Sequence, residues 1–149
     1  MSKIKTYKVQ LPIGEQEKIH LSTNDGLTGY RIRDFKIVIS DTSTATYALV
    51  AQVFLTDQTG KITATIDFSK SDLIAAIFQD SQQSYFNKEV VILDKETFNQ
   101  DIFINITDAG GATDPANFYI ELEQFSLDIN SSTYHTIKNI RSRTEVEYS

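Results

Sequence analysis

The chain contains no cysteine. Disulfide frameworks, thiolate zinc sites and cysteine nucleophiles are therefore excluded, and stability has to come from packing. Tryptophan is also absent, which removes the residue best suited to a flat sugar-stacking platform. Proline occurs twice and glycine six times in 149 residues, too few for a low-complexity or loop-dominated chain. Cations are the minority: 14 Lys and Arg against 20 Asp and Glu leave a formal net charge of −6. A general nucleic-acid binder turns a basic face to the phosphates, so nucleic acid is not an expected partner. No apolar run approaches the roughly 20 residues of a membrane span. The first seven residues, Met-Ser-Lys-Ile-Lys-Thr-Tyr, lack the apolar stretch of a secretory leader, so export by that route is not expected.

What is present suits one globular domain. Hydrophobic residues make up 40% and charged residues 23% of the chain. A domain of about 150 residues buries roughly 68–70% of its unfolded surface, enough for one hydrophobic core. Phe (9) and Tyr (7) supply the aromatic bulk. Residues 1–149 are read as a single domain with an N-terminal arm over about 1–8 and a tail over about 142–149.

The strongest local pattern runs from Tyr47 to Phe68 and reads as a β-hairpin. Its first arm, Tyr47 to Leu55, is apolar on both faces, so it belongs in the middle of a sheet whose outer face something else covers. Its turn is Asp57-Gln-Thr-Gly60, where the glycine can take a positive φ. Its second arm, Lys61 to Phe68, alternates Ile62, Ala64, Ile66 and Phe68 against Thr63, Thr65 and Asp67, the period of a strand with one dry face.

Further strands are expected at Lys5–Leu11, Glu17–Leu21, Tyr30–Ser40, Tyr85–Leu93, Phe98–Thr107 and Phe118–Ile129. Lys3, Lys5 and Lys8 mark the first as an edge or an arm. Two long strands change phase. Tyr30 and Ile32 share one parity while Phe35, Ile37 and Ile39 share the other, which a bulge near Arg33-Asp34 reconciles. A second bulge near Glu123-Gln124 does the same for Phe118, Ile120 and Leu122 against Phe125, Leu127 and Ile129. Tyr85–Leu93, through its Val-Val-Ile-Leu run, is expected to be buried on both sides. Leu73, Ile74, Ile77 and Phe78 fall at helical spacing, so a short helix is expected near 71–79, with a buried strand as the competing reading. A second helix is expected over Ser131–Arg141. About eight strands without βαβ alternation point to an antiparallel β-sandwich, a jelly roll first and a closed barrel second.

Candidate chemistry is sparse. His20 and His135 are far apart and in no metal-ligand spacing. No serine sits in a Gly-x-Ser-x-Gly elbow. Glu121 and Glu123 share one face of a strand, as paired carboxylates would, although a solvated face is the commoner reason for such a pair. The loop Asp108–Asp114 offers oxygen ligands and two glycines but lacks the dense acidic pattern of a calcium loop. Lys138, Arg141 and Arg143 with Tyr134 form a small basic cluster near the end. Asn105-Ile-Thr107 and Asn130-Ser-Ser132 are sequons. No catalytic, cofactor-binding or metal residue is assigned, and the chain is read as non-enzymatic.

In its all-β pattern, its polar surface rich in Thr, Ser, Asn and Gln, and its polar terminal segments, the chain resembles small virion proteins of bacteriophages and other viruses: capsid, decoration or spike-base subunits. That resemblance implies a structural protein that self-associates within a particle, bound to itself or to larger virion proteins and located in the virion, and it transfers no residue roles. A cytoplasmic location is the alternative. The competing function is a carbohydrate-binding or adhesion sandwich, for which Tyr30, Tyr47, Tyr85 and Tyr119 would have to be exposed.

Overall fold

In the computed structural model of the chain, the described residues are 3–23, 26–40, 47–80, 87–92, 97–109, 114–128, 130, 133 and 136–137, with backbone alone at 80 and 87–89. They contain eight strands: β1 (Lys3–Leu11), β2 (Gln16–Ile19), β3 (Thr28–Ile39), β4 (Ala48–Phe54), β5 (Leu73–Asp80), β6 (Asn87–Ile92), β7 (Ile102–Asp108) and β8 (Ala116–Ser126). Two antiparallel sheets result, one in the order β1-β8-β3 and one in the order β2-β7-β4-β5-β6. The chain is doubled back between β4 and β5. From that fold outward β2 meets β7 and β1 meets β8, the nested pairing of a jelly roll. The expected β-sandwich is therefore the observed architecture.

One rung of the nest is reduced. β6 stays hydrogen-bonded to β5 and forms no ladder with β3. In its place Phe98, just beyond β6, forms a two-way backbone bridge with Tyr30 of β3: Tyr30 N–H donates to Phe98 O at 2.7 Å and Phe98 N–H to Tyr30 O at 2.9 Å. Their rings stack at 6.2 Å.

The core lies between the sheets. It is built from alternate residues of every long strand, among them Phe35, Ile37, Leu49, Val53, Ile77, Ile104, Ile106, Ile120 and Leu122. β3 keeps Tyr30, Ile32, Phe35, Ile37 and Ile39 on this face because its register against β8 shifts between Ile32 and Asp34. Arg33 is the inserted residue, at the bulge the phase change calls for. The predicted inward set Ile102, Ile104 and Ile106 is also in the core.

Other segments differ from expectation. The hairpin does not close. β4 already has β5 on one side and β7 on the other, so it has no free edge for a third strand. The turn is as read: Lys61 N–H donates to Gln58 O at 2.8 Å, and Gly60 has φ +78°. After it, residues 61–68 leave the ladders and lie as an extended strap on the outer face of the larger sheet. Gln52 holds the strap there. Its Nε2 donates to Thr63 O at 3.0 Å and to Thr65 O at 3.4 Å. The half-buried side chains are Ile62, Ala64 and Ile66, and the exposed ones are Thr63, Thr65 and Asp67. The alternation holds from Ile62 to Asp67 and fails at Phe68, expected on the dry side but 64% exposed; it records contact with a sheet face rather than membership of the sheet.

The segment expected as a helix near 71–79 is strand β5. It is apolar from Leu73 to Phe78 because it sits between β4 and β6 with both faces covered, and such a run has no period to read. β8 carries no second bulge; its register with β3 runs unbroken from Arg31↔Glu123 to Thr28↔Ser126. Phe125 therefore turns to the outer face, where Gly29 opposite leaves it room. A Cβ at Gly29 would lie 2.9 Å from the Leu127 side chain and 3.0 Å from the Phe125 ring. β6 is an edge strand with Val90 and Val91 exposed, not a strand buried on both sides. The expected arm is paired with β8 from Lys3 onward, so residues 3–8 are an edge. Asn130, Thr133, Thr136 and Ile137 are helical; the rest of the expected terminal helix and the tail at 142–149 lie outside the described residues. No helix among the described residues is long and apolar enough to cross a membrane.

Candidate functional site

The two outer faces of the sandwich are finished differently. The larger sheet is closed by its own chain. Val50, Gln52, Phe54, Leu73, Ala76, Phe103 and Asn105 are all buried although they do not belong to the core between the sheets. The loop over them, residues 56–72, is latched at its base, where Leu55 N–H donates to Asp72 O at 2.8 Å. The buried Asp72 carboxylate accepts from Thr56 Oγ1 at 2.5 Å and from Gln58 Nε2 at 3.0 Å. Gln58 N–H in turn donates to Gln16 Oε1 of β2 at 2.7 Å, and Gln16 Nε2 to Asp57 Oδ1 at 2.9 Å. Lys70 Nζ sits 5.8 Å over the Phe54 ring.

Among the described residues, none forms such a cover over the outer face of the smaller sheet. Strand register arranges its side chains in four rows: Gln10, Asn117 and Val38; Lys8, Tyr119 and Lys36; Thr6, Glu121 and Asp34; Ile4, Glu123 and Arg31. Val38 is 55% and Ile4 42% exposed, β-branched side chains left in water at opposite corners. Between Val38, Tyr119 and the stems of Lys8 and Lys36 runs a shallow groove of about 520 Å³. Internal pairs bind most of the charges. Lys36 Nζ is 3.1 Å from Asp34 Oδ2 and lies over the Tyr119 ring at 5.9 Å. Arg31 Nη2 donates to Glu123 Oε2 at 3.1 Å and covers the Phe125 ring at 5.8 Å. Gln10 Nε2 donates to Asn117 Oδ1 at 3.3 Å.

The candidates read from the sequence are dispersed. Glu121 and Glu123 do share the outward face of β8, but Glu123 is held by Arg31 and no cleft encloses the pair. Among the described residues no group of three or more His, Asp or Glu is placed to hold a metal. Asp108 accepts from Ala48 N–H at 2.9 Å, which fastens the start of its loop; residues 110–113 lie outside the described residues. So do His135, Tyr85, Tyr134, Lys138, Arg141 and Arg143. Tyr30 and Tyr47 are buried, and the Tyr47 hydroxyl accepts from Gln79 Nε2 at 3.2 Å. Asn105 of the first sequon is buried under the strap.

His20 is exposed and leans on Asp101, Nδ1 to Oδ2 at 3.3 Å. Asp101 is a fastening point rather than a reactive group. Its Oδ1 accepts from Leu21 N–H at 2.7 Å and Ser22 N–H at 2.9 Å, and Lys18 Nζ lies 3.4 Å from its Oδ2. Partial burial alone would push this carboxyl up. The Ser22 and Leu21 amides, the Ser22 hydroxyl and the Lys18 ammonium outweigh that and hold it down at about 2. A depressed carboxyl stabilises the fold above its unfolded value of 3.8 and loses that contribution as the pH falls from there towards 2. Allowing for partial solvent screening, Asp101→Asn should cost about 1–2 kcal/mol at pH 7. It should also flatten the fall in urea midpoint between pH 4 and pH 2; a variant with an unchanged acid limb would contradict this role.

Sequence reasoning missed the open face and the latch. Val38 and Ile4 carried a signal, since both lie at the polar phase of their strands. Thr56, Gln58 and Asp72 carried none, because three polar residues around a turn ordinarily face water.

No family model matches the chain, and no curated protein matches it. Among solved structures, the Drosophila NLP core, whose report concerns pentamer formation and histone binding, is similar over 85% of this chain and 100% of that one. The identity is 12% and the TM-score 0.46, a likeness too distant to carry any argument.

Proposed function

We propose that the chain is a non-enzymatic structural subunit that works through protein–protein contacts, and that it serves as a capsid or decoration subunit of a viral or phage virion. The observation that carries the first part is the unequal finish of the two outer faces. One is roofed by residues 56–72 down to buried Gln52 and Asn105. The other, among the described residues, leaves open a groove lined by Val9, Val38, Phe118 and Tyr119, and a contiguous apolar surface of this kind is where a partner docks. The virion setting rests on the resemblance in strand pattern and composition. The partners are copies of the same chain or larger particle proteins.

The carbohydrate-binding reading needs several aromatic rings in the open. Two of its four tyrosines are buried, and Tyr119 is the one on the open face. Light scattering on the full chain across a hundredfold range of concentration tests the assembly reading. A molar mass that rises with concentration supports it, and a constant monomer mass of 16.8 kDa overturns it.

A further inference from the structure

We infer that the open face pairs with the same face of a second copy, strands antiparallel, about a two-fold axis lying between the Lys8 row and the Glu121 row. This rests on the assembly reading and specifies its surface and geometry. The first support is charge. The face carries Lys8, Lys36, Arg31 and the bulge residue Arg33 against Asp34, Glu121 and Glu123, four cations to three anions, so it is free of the acidic excess of a chain of net charge −6. Two acidic copies repel one another through the rest of their surfaces. This face, which lacks the acidic excess, is where they can approach.

The order of the charges along the strands then selects the geometry. The cationic row, Lys8 and Lys36, is next to the row holding Glu121 and Asp34. A two-fold axis running across the strands between these rows lays each cationic row over the acidic row of the other copy. An axis running along the strands would instead lay Lys8 over Lys36. Because Lys36 is bound to Asp34 and Arg31 to Glu123, Lys8, Arg33 and Glu121 are the charges of the face without an ion-pair partner among the described residues, and Lys8 and Glu121 lie in the two adjacent rows that the axis exchanges. In the antiparallel arrangement Lys8 of each copy reaches Glu121 of the other. A two-fold contact makes this pair twice, as self-complementary interfaces do.

Size sets the strength. Three strands about 4.8 Å apart, rising about 3.3 Å per residue over nine residues, present roughly 400 Å² in projection. That is about half of the roughly 800 Å² per partner of a standard stable interface. The pair is therefore weak and reversible on its own, and becomes persistent where further contacts in a particle add to it.

Sedimentation velocity on the full chain and three variants tests this, with circular dichroism confirming that each variant is folded. Lys8→Glu and Glu121→Lys, each at an exposed or half-exposed position, are each expected to weaken dimerisation at least tenfold. The double variant K8E/E121K is expected to recover most of the loss, and the wild-type dimer to weaken with added salt. A dimer indifferent to both single variants would leave the assembly reading standing and overturn this surface. Single losses without recovery in the double variant would overturn the reciprocal Lys8–Glu121 pairing. A strict monomer would overturn both.

Discussion

Phe98→Ala should destabilise the protein by about 3–5 kcal/mol, the range for emptying a fully buried Phe site. For a chain of this length that corresponds to a fall in thermal midpoint of roughly 10 °C or more. Phe98 is completely buried, its ring stacks on Tyr30, and its backbone exchanges both hydrogen bonds with Tyr30. It stands where a full β3–β6 rung would otherwise be, so few neighbouring atoms can collapse into the space it leaves. The effect is read by calorimetry or by urea denaturation of the variant beside wild type. A loss below about 1 kcal/mol would mean that the site closes over the deletion, and that the bridge is not what ties the sheets together at this end.

Asp72→Ala should cost about 2–4 kcal/mol. The substitution leaves the buried Thr56 hydroxyl without its acceptor, a penalty of about 1–3 kcal/mol. It takes one of three acceptors from Gln58 Nε2, which keeps Thr56 Oγ1 at 2.9 Å and Thr56 O at 3.3 Å; the emptied volume adds about 1 kcal/mol. Asp72→Asn retains one acceptor oxygen and should lose less. A second readout separates this latch from ordinary packing. Once it is broken, the loop over residues 56–72 lifts, and trypsin should cut after Lys61 and Lys70 faster than in wild type, and faster than in a variant of equal stability loss in the core, such as Phe98→Ala. Equal cleavage of the two variants under native conditions would show that the latch does not hold the strap.

Alternation proved the most legible signal in this sequence. It located the inward residues of β3 and β7, and it gave the Arg33 bulge from a parity change alone. The same signal misplaced residues 61–68, because period 2 reports an extended backbone with one dry side and is silent on where the backbone hydrogen bonds go. There the carbonyls of Thr63 and Thr65 accept from a side chain, Gln52, which no strand pattern foresees. β5 failed for the opposite reason. A six-residue run apolar on both faces, Leu73 to Phe78, has no period, and Leu73, Ile74, Ile77 and Phe78 fitted a helical wheel by chance. In β8 the switch to Phe125 looked like a bulge; it is a straight strand whose last aromatic turns outward over Gly29. The charge pattern of the open face was present in the sequence but unreadable there, since Lys8, Lys36 and Glu121 become neighbours only when the register of β1, β8 and β3 is known.

β1 and β3 have no hydrogen-bonded strand neighbour in their sheet other than β8, and the pairing Lys3↔Gln124 spans most of the sequence. During synthesis the larger sheet can be complete from β2 to β7 while β1 and β3 still wait for the strand that lies between them. Closing so long a loop is slow, and the waiting strand edges are exposed to wrong partners. A chain broken off before residue 116 lacks β8, so it cannot join β1 to β3 or form the outer face of the smaller sheet.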